Sequence, residues 1–513
     1  MDLVIQVAQN VFSPLTLLIC FLGTLVGVVL GAIPGMNGGI GIAVMLPFTY
    51  TMNPAQGLLF LGGMYLGSSY GGSISAILLN CPGTAEASCT ALDGHPMAVK
   101  GEGKRALYFS VIASGIGSVI GLVVLLFFTP ILSQISVKFG PPEMMLLAIC
   151  GLTIVGSLTG KNAAKGMAAA MIGLFLAMIG IDDVTGAVRF TFGAKALRGG
   201  VDLIPAVIGL FAIAEMIKQG MGLGDEANRS QIQELRDIRF MDVWRDTWKN
   251  FKSVLLKSSA IGTFIGILPG TGGAIASFLA YGEAKGKDKD GTFGTGNPAG
   301  IIAPESANNA AVGGSLVPML SLGIPGSSTS AIMFGALTIH GLVPGQRLFV
   351  EHGDVAYTFM VGMFFTAIFM MVIGCFGIPL FAKVLKLNLR QIIPVVLLCS
   401  LVGAYSVNNS MYDVIVAIAC GILGVVFAKL EMPTTPVVLG LILGSLIESN
   451  FVRTQTIVTS QGANFFVYVF TRPLCIGILC LTAYLIYSNV RAMRRGRQIQ
   501  QGTNIKQDLC DDA

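Results

Sequence analysis

Residues 303 to 315 read APESANNAAVGGS, and within them Glu305, Asn308 and Asn309 stand at positions i, i+3 and i+4. That spacing puts three polar side chains on one face of a helix. A carboxylate and two amides supply hard oxygen donors of the kind that hold Na+, and the same carboxylate can carry a proton. The neighbours are small and apolar. An ionisable side chain in such surroundings is costly inside a membrane and marks a functional site. The alternative is that Glu305 lies at an interface and caps a helix. Glu86, Asp93, Glu215 and Glu448 are weaker candidates, with Glu448 expected near a helix end.

A second group of residues offers backbone rather than side-chain chemistry. GAIPGMNGG (31 to 39) returns as GILPGTGG (266 to 273), and GGSISAILLNCPGT (71 to 84) returns as GGSLVPMLSLGIPGS (313 to 327). The offset is 235 residues at Pro34/Pro269, 242 at Gly71/Gly313 and 243 at Pro82/Pro325. A Pro-Gly turn inside an apolar helix frees backbone groups that must find protein, water or ligand. The helix that restarts after the turn aims its positive dipole end at anions. Four such starts are predicted: at Asn37, Gly38 and Gly39; at Pro82, Gly83 and Thr84; at Gly270, Thr271, Gly272 and Gly273; and at Pro325, Gly326, Ser327 and Ser328. These are the candidate substrate-binding residues, for a carboxylate bound by N–H and hydroxyl groups. The competing use of glycine, close helix packing, is expected for most of the 66 glycines.

Composition sets where these turns must sit. With 53% hydrophobic and 12% charged residues and a mean hydropathy of +0.76, the chain is too apolar for a soluble protein, in which about 25% of residues are charged. Apolar stretches are long enough to cross a bilayer as helices, and the alternation of a β-barrel is absent. The fold class expected is an all-α polytopic membrane protein of roughly 11–14 segments, with inverted repeats and discontinuous or re-entrant helices. The boundaries read as a first membrane repeat over 1–218, a cytoplasmic amphipathic linker over 219–252, a second repeat over 253–390, C-terminal membrane helices over 391–490 and a cytoplasmic tail over 491–513.

Basic residues fix the expected orientation, because Lys and Arg in short loops mark the cytoplasmic side. They cluster at Lys100, Lys104 and Arg105, in the linker, at Lys285, Lys287 and Lys289, and in the tail. The N-terminus is therefore expected outside and the C-terminus inside. Trp244 and Trp248, four apart in the linker, share a helical face suited to the interface. The net charge of +5 is dispersed and gives no argument for nucleic acid. The ten cysteines and three histidines lack metal-ligand spacing, so no metal or resident cofactor is expected. No Walker motif is present, which argues against direct use of ATP.

These blocks, together with YGGSISAILLNCPGTAEASCTALDGHPM, APESANNAAVGGSLVPMLSLGIPGSSTSAIMFGAL and VLGLILGSLIESN, resemble the large membrane subunit of the tripartite tricarboxylate transporter family (TctA-type). The resemblance covers nearly the whole chain. It implies a bacterial inner-membrane importer of tricarboxylates such as citrate or of other small carboxylates, driven by Na+ or protons as the co-transported ion. It also implies two partners, a small four-helix membrane subunit and a periplasmic substrate-binding protein. An intramembrane enzyme would need a nucleophile with a base or paired carboxylates, and no His is placed to activate a Ser or Thr. A passive anion channel would not need Glu305 beside two amides.

Overall fold

A computed structural model of the chain describes residues 2–33, 38–136, 138–158, 163–182, 185–221, 238–378, 381, 389–484 and 486. Helices dominate them, and a two-stranded antiparallel ribbon pairs Gly180–Ile181 with Val188–Arg189. Among the described residues six helices are long and apolar enough to cross a membrane, and six shorter apolar helices of 10–17 residues accompany them. The protein is an all-α polytopic membrane protein. Its contacts group into two compact units interleaved along the chain, one of residues 1–137 with 202–426 and one of 138–201 with 427–513.

The first unit opens with α1 (Asp2–Val11), α2 (Pro14–Ala32), α3 (Gly38–Met45), α4 (Pro54–Leu79), α5 (Ser88–Met97) and α6 (Gly103–Ser136). The second unit takes the next two helices, α7 (Pro141–Leu158) and α8 (Ala163–Ala177). The chain then returns to the first unit with α9 (Leu203–Val207), α10 (Ala214–Gly220), α11 (Phe240–Asp246), α12 (Lys252–Ile267), α13 (Gly272–Lys285), α14 (Ala299–Leu322), α15 (Ser328–Ile339), α16 (Gln346–Glu351) and α17 (Gly353–Phe376). It continues with α18 (Leu389–Asn408) and α19 (Met411–Lys429), before α20 (Thr435–Ser460) and α21 (Phe465–Phe470) of the second unit.

Glycines at four-residue spacing explain why α2 and α4 lie backbone to backbone. A Cβ at Gly27 would stand 2.6 Å from Met64 Cα, and one at Gly31 would stand 2.5 Å from the Ser68 carbonyl oxygen. Gly67 and Gly71 of α4 return the fit against Thr24 and Val28 of α2. Without a hydrophobic force between helices in lipid, such close approach is what dispersion and weak polar contacts need. The partners advance together along both helices, so α2 and α4 run parallel. The second copy repeats the arrangement, with Gly262 and Gly266 of α12 against Ala307 and Ala311 of α14.

The two copies exchange partners. Gly117 and Gly121 of α6 pack on Ser306 and Ala310 of α14, and Gly362 of α17 packs on Leu59 of α4. Tyr65 of α4 hydrogen-bonds Ser315 of α14 at 3.1 Å, and the Asn308 amide donates to the Ser69 carbonyl at 3.1 Å. As α4 advances its partners recede along α14, so these two equivalent helices are antiparallel and the copies are inverted relative to each other.

In the linker Trp244 and Trp248 do share a face, with ring centroids 6.2 Å apart, and Phe240 of the same helix meets Tyr108 of α6 at 5.4 Å. Residues 222–237 of that linker lie outside the described residues.

The second unit is tied by buried charge. Gly173 of α8 packs on Val437 of α20 and Gly440 on Ala170, while Arg472 meets the buried Glu143 at 2.7 Å. Glu448 lies in the middle of α20 rather than near a helix end, since the helix continues to Ser460, and Arg189 of the ribbon reaches it with both guanidinium arms. That ion pair makes an interior carboxylate tolerable.

Candidate functional site

Both first turns break their helices at the same place. Ile33 N–H returns to Leu30 O at 3.2 Å, and Leu268 N–H to Ile265 O at 3.0 Å, one repeat offset apart. Residues 34–37, with the candidate Asn37, lie outside the described residues. Helix α3 restarts at Gly38, and both Gly38 and Gly39 are buried. In the second copy Gly270 (φ +75°) and Gly272 (φ +66°) take left-handed conformations, which cost a side chain about 1–2 kcal/mol. The Thr271 hydroxyl donates to Ile265 O at 2.5 Å and to Leu268 O at 2.9 Å, so it satisfies carbonyls that the break sets free.

The second turns agree atom for atom. Asn80 (φ +53°) and Gly323 (φ +71°) close α4 and α14 in the left-handed region. Gly83 N–H then bonds Gly72 O and Gly326 N–H bonds Ser315 O, both at 3.3 Å. These bonds pair Gly72 with Ser315, hence Gly71 with Gly314 rather than with Gly313, and the offset is 243 throughout this block. A Cβ at Gly83 would strike Gly31 O, and one at Gly326 would strike Gly266 O. Glycine follows Pro82 and Pro325 because the returning chain presses on another backbone.

Three of the four expected helix starts are observed, at Gly38, Gly272 and Ser328. Thr84 does not begin a helix. It sits in a turn, with Ala87 N–H bonded to Thr84 O at 3.2 Å, and α5 starts at Ser88. The cause is its packing over Gly72, where a Cβ would stand 3.0 Å from Thr84 N. Ser327 caps α15 reciprocally with Ser330, a capping box. Tyr65 Oη reaches the same Ser327 hydroxyl at 2.7 Å. Gly273 is wedged between the Asn308 amide and the half-buried Glu86, and a Cβ there would stand 2.9 Å from Glu86 Cγ.

Glu305, Asn308 and Asn309 are all buried, but their side chains diverge. Glu305 accepts from Thr90 of α5 at 2.5 Å and from Ser114 of α6 at 3.0 Å. Ser110, bonded to Ser73 at 2.6 Å, lies beside the same carboxyl. Asn309 donates to the Glu305 carbonyl at 3.1 Å, and its Oδ1 is buried with no hydrogen-bond partner, as is Tyr70 Oη. Asn308 faces α4 and α13 instead. Among the described residues no cluster of three or more His, Cys, Asp or Glu could hold a metal ion.

Residues 17–439 match the tripartite tricarboxylate transporter TctA family. The chain belongs to this family. It is also 32% identical over 505 residues to an uncharacterized 52.8 kDa protein in the TAR-I ttuC' 3' region of Agrobacterium vitis, covering 96% of this chain and 98% of the relative. An uncharacterized protein in the TAR-II ttuC' 3' region of the same organism is 32% identical over 239 residues, 45% of this chain and 97% of that relative. No solved structure matches.

In this TctA-family chain the turns do two kinds of work. The glycines at positions 83 and 326 serve packing, and their N–H groups are engaged. Gly272 is different, since nothing lies within 4 Å of where its Cβ would stand, and it opens α13 toward Glu86 and Asn308. Sequence reasoning passed over Tyr65, Thr90, Ser110 and Ser114. The available signal was a run of hydroxyls within long apolar segments, YLGSSYGGSIS above all.

Proposed function

We propose that the chain is the large membrane subunit of a binding-protein-dependent secondary carrier, importing tricarboxylates or other small carboxylates into bacteria in symport with Na+ or protons. In this reading it sits in the inner membrane with its N-terminus outside and its C-terminus in the cytoplasm. A periplasmic protein delivers the substrate and a small four-helix subunit completes the complex. The observation that carries the reading is the pair of inverted broken hairpins meeting beside a fully buried carboxylate, Glu305, whose hydrogen-bond partners are hydroxyls. Helix starts at Gly38, Gly272 and Ser328 offer dipole ends to an anion. A buried carboxylate without a cationic partner is costly in low dielectric; a co-transported cation or proton at Glu305 relieves that cost. Asn309 Oδ1 and the Thr90 and Ser114 oxygens complete a set of hard donors for it.

The test is uptake of labelled citrate and of smaller dicarboxylates into sealed vesicles containing this chain, the small subunit and the binding protein. An imposed Na+ or proton gradient is expected to drive accumulation. Uptake that never exceeds equilibration under either gradient excludes symport and leaves a passive path.

A further inference from the structure

Asp93 is fully buried on α5 and has more hydrogen bonds than any need of its own helix explains. Its Oδ1 accepts from the backbone N–H groups of Gly294 at 2.8 Å, Gly296 at 2.9 Å and Asn297 at 2.8 Å, and its Oδ2 accepts from Tyr281 Oη at 2.9 Å. All four donors belong to the second copy, in α13 and the segment that leads into α14, whereas α5 belongs to the first. Lys100 adds a bond to the Thr295 carbonyl at 2.6 Å. The same joint packs Cys89 and the small side chains of Ala276, Ala280 and Ala303 beside the aromatic pair Tyr281 and Phe293, whose ring centroids stand 5.2 Å apart. The charge-assisted bonds of Asp93 add direction to that packing and tie α5 to both α13 and the segment before α14.

Among the described residues the opposite face has no counterpart. Because the copies are inverted, the start of α4 lies at the other end of the bundle from the start of α14. There α15 approaches the segment before α4 as α5 approaches the segment before α14. Matching Ala91, Leu92 and His95 to Ala336, Leu337 and His340, where the offset has grown to 245 residues, puts Thr338 in the place of Asp93; it is exposed and bonds its own helix at Phe334 O. Near it, His340 lies against Gly57 and Thr49 with Nε2 buried and lacking a partner. One face is locked by a carboxylate and the other is not.

We propose that Asp93 is a latch between the two copies, holding the molecule shut on the face of Lys285, Lys287 and Lys289, and that it must release in each transport cycle. Asp93 is a positioning residue: it seats α5, and with it Thr90 and Glu86, against α13 and α14. The proposal rests on the transporter reading, and its test is separate from uptake. Cys89, fully buried with its thiol against the Ser277 carbonyl at 3.8 Å, reports on the joint.

With the other cysteines replaced by serine, the maleimide labelling rate of Cys89 is measured in membranes. The variants are Tyr281→Phe, which removes one donor from the latch, and Asp93→Asn, which removes its charge. Each is expected to raise the rate by about tenfold or more, the equivalent of about 1.4 kcal/mol, with the melting temperature of purified Tyr281→Phe protein unchanged. Labelling as slow as in the parent in folded Tyr281→Phe protein overturns the latch, whatever Asp93→Asn does to folding. Uptake without gradient dependence would instead remove the symport reading and leave the labelling result standing.

Discussion

At Glu305 the immediate partners, the Thr90 and Ser114 hydroxyls, decide what a substitution does. Glu305→Gln keeps the shape and removes the charge, while Thr90 and Ser114 can turn to accept from the new amide. Na+-stimulated uptake in vesicles is expected to fall to its sodium-free level with the fold intact; unchanged sodium dependence would return Glu305 to a structural role. Gly272 gives a second test. Its left-handed backbone would strain valine by about 1–3 kcal/mol, whereas asparagine tolerates that conformation. Gly272→Asn is therefore expected to keep the ligand-free melting temperature and to lose the stabilisation caused by substrate, measured with the binding protein present. Helical spacing made Glu305, Asn308 and Asn309 legible as a group, yet Asn308 turns to α4 and α13. The three sit at the junction of several helices, and a single-helix projection cannot say which neighbour each side chain meets.

At the scale of elements, the doubled turns give matched substitutions. Gly83→Ala and Gly326→Ala each push a methyl group onto the backbone of Gly31 or Gly266. Each is expected to cost about 1–3 kcal/mol, read as similar losses of thermal stability in detergent; a loss confined to one copy would show that the two turns are not equivalent. The segment ahead of α14 has its own anchor in Asp288. Burial pushes its carboxyl up, but bonds from Phe293, Asp290 and Thr292 outweigh that and hold it below the usual carboxylate range. A depressed value means that the stabilisation is present above the unfolded carboxyl's range and is lost as pH falls through the folded value. Amide exchange at Thr292 and Phe293 is thus expected to stay protected at neutral pH and to lose protection, after correction for intrinsic rates, only in strong acid. The broken helices were legible because Pro-Gly punctuates a helix from within. The place of Glu448 was not, since its partner Arg189 lies 259 residues away.

For the whole molecule, the basic linker lying between two inverted copies, together with the basic tail, carries a topological prediction. A cysteine placed at position 2 is expected to react with an impermeant maleimide from outside, and cysteines at 230 and 500 from inside; labelling of 2 and 500 from one side would contradict the orientation. Composition alone made the membrane class legible, and the repeated motif order made the duplication legible. How the copies interlock was not readable, because a glycine row such as Gly117 and Gly121 specifies a close neighbour without naming it.

That exchange of partners has a consequence for how the protein is made. When α6 enters the bilayer, the helix that fills its glycine groove, α14, has yet to be synthesised, and α4 likewise waits for α17. The nascent first half must be held with open seams until the ribosome has delivered the second. Residues 1–221 expressed alone are expected to be degraded by membrane proteases, and co-expression of 238–513 from a separate message is expected to rescue them.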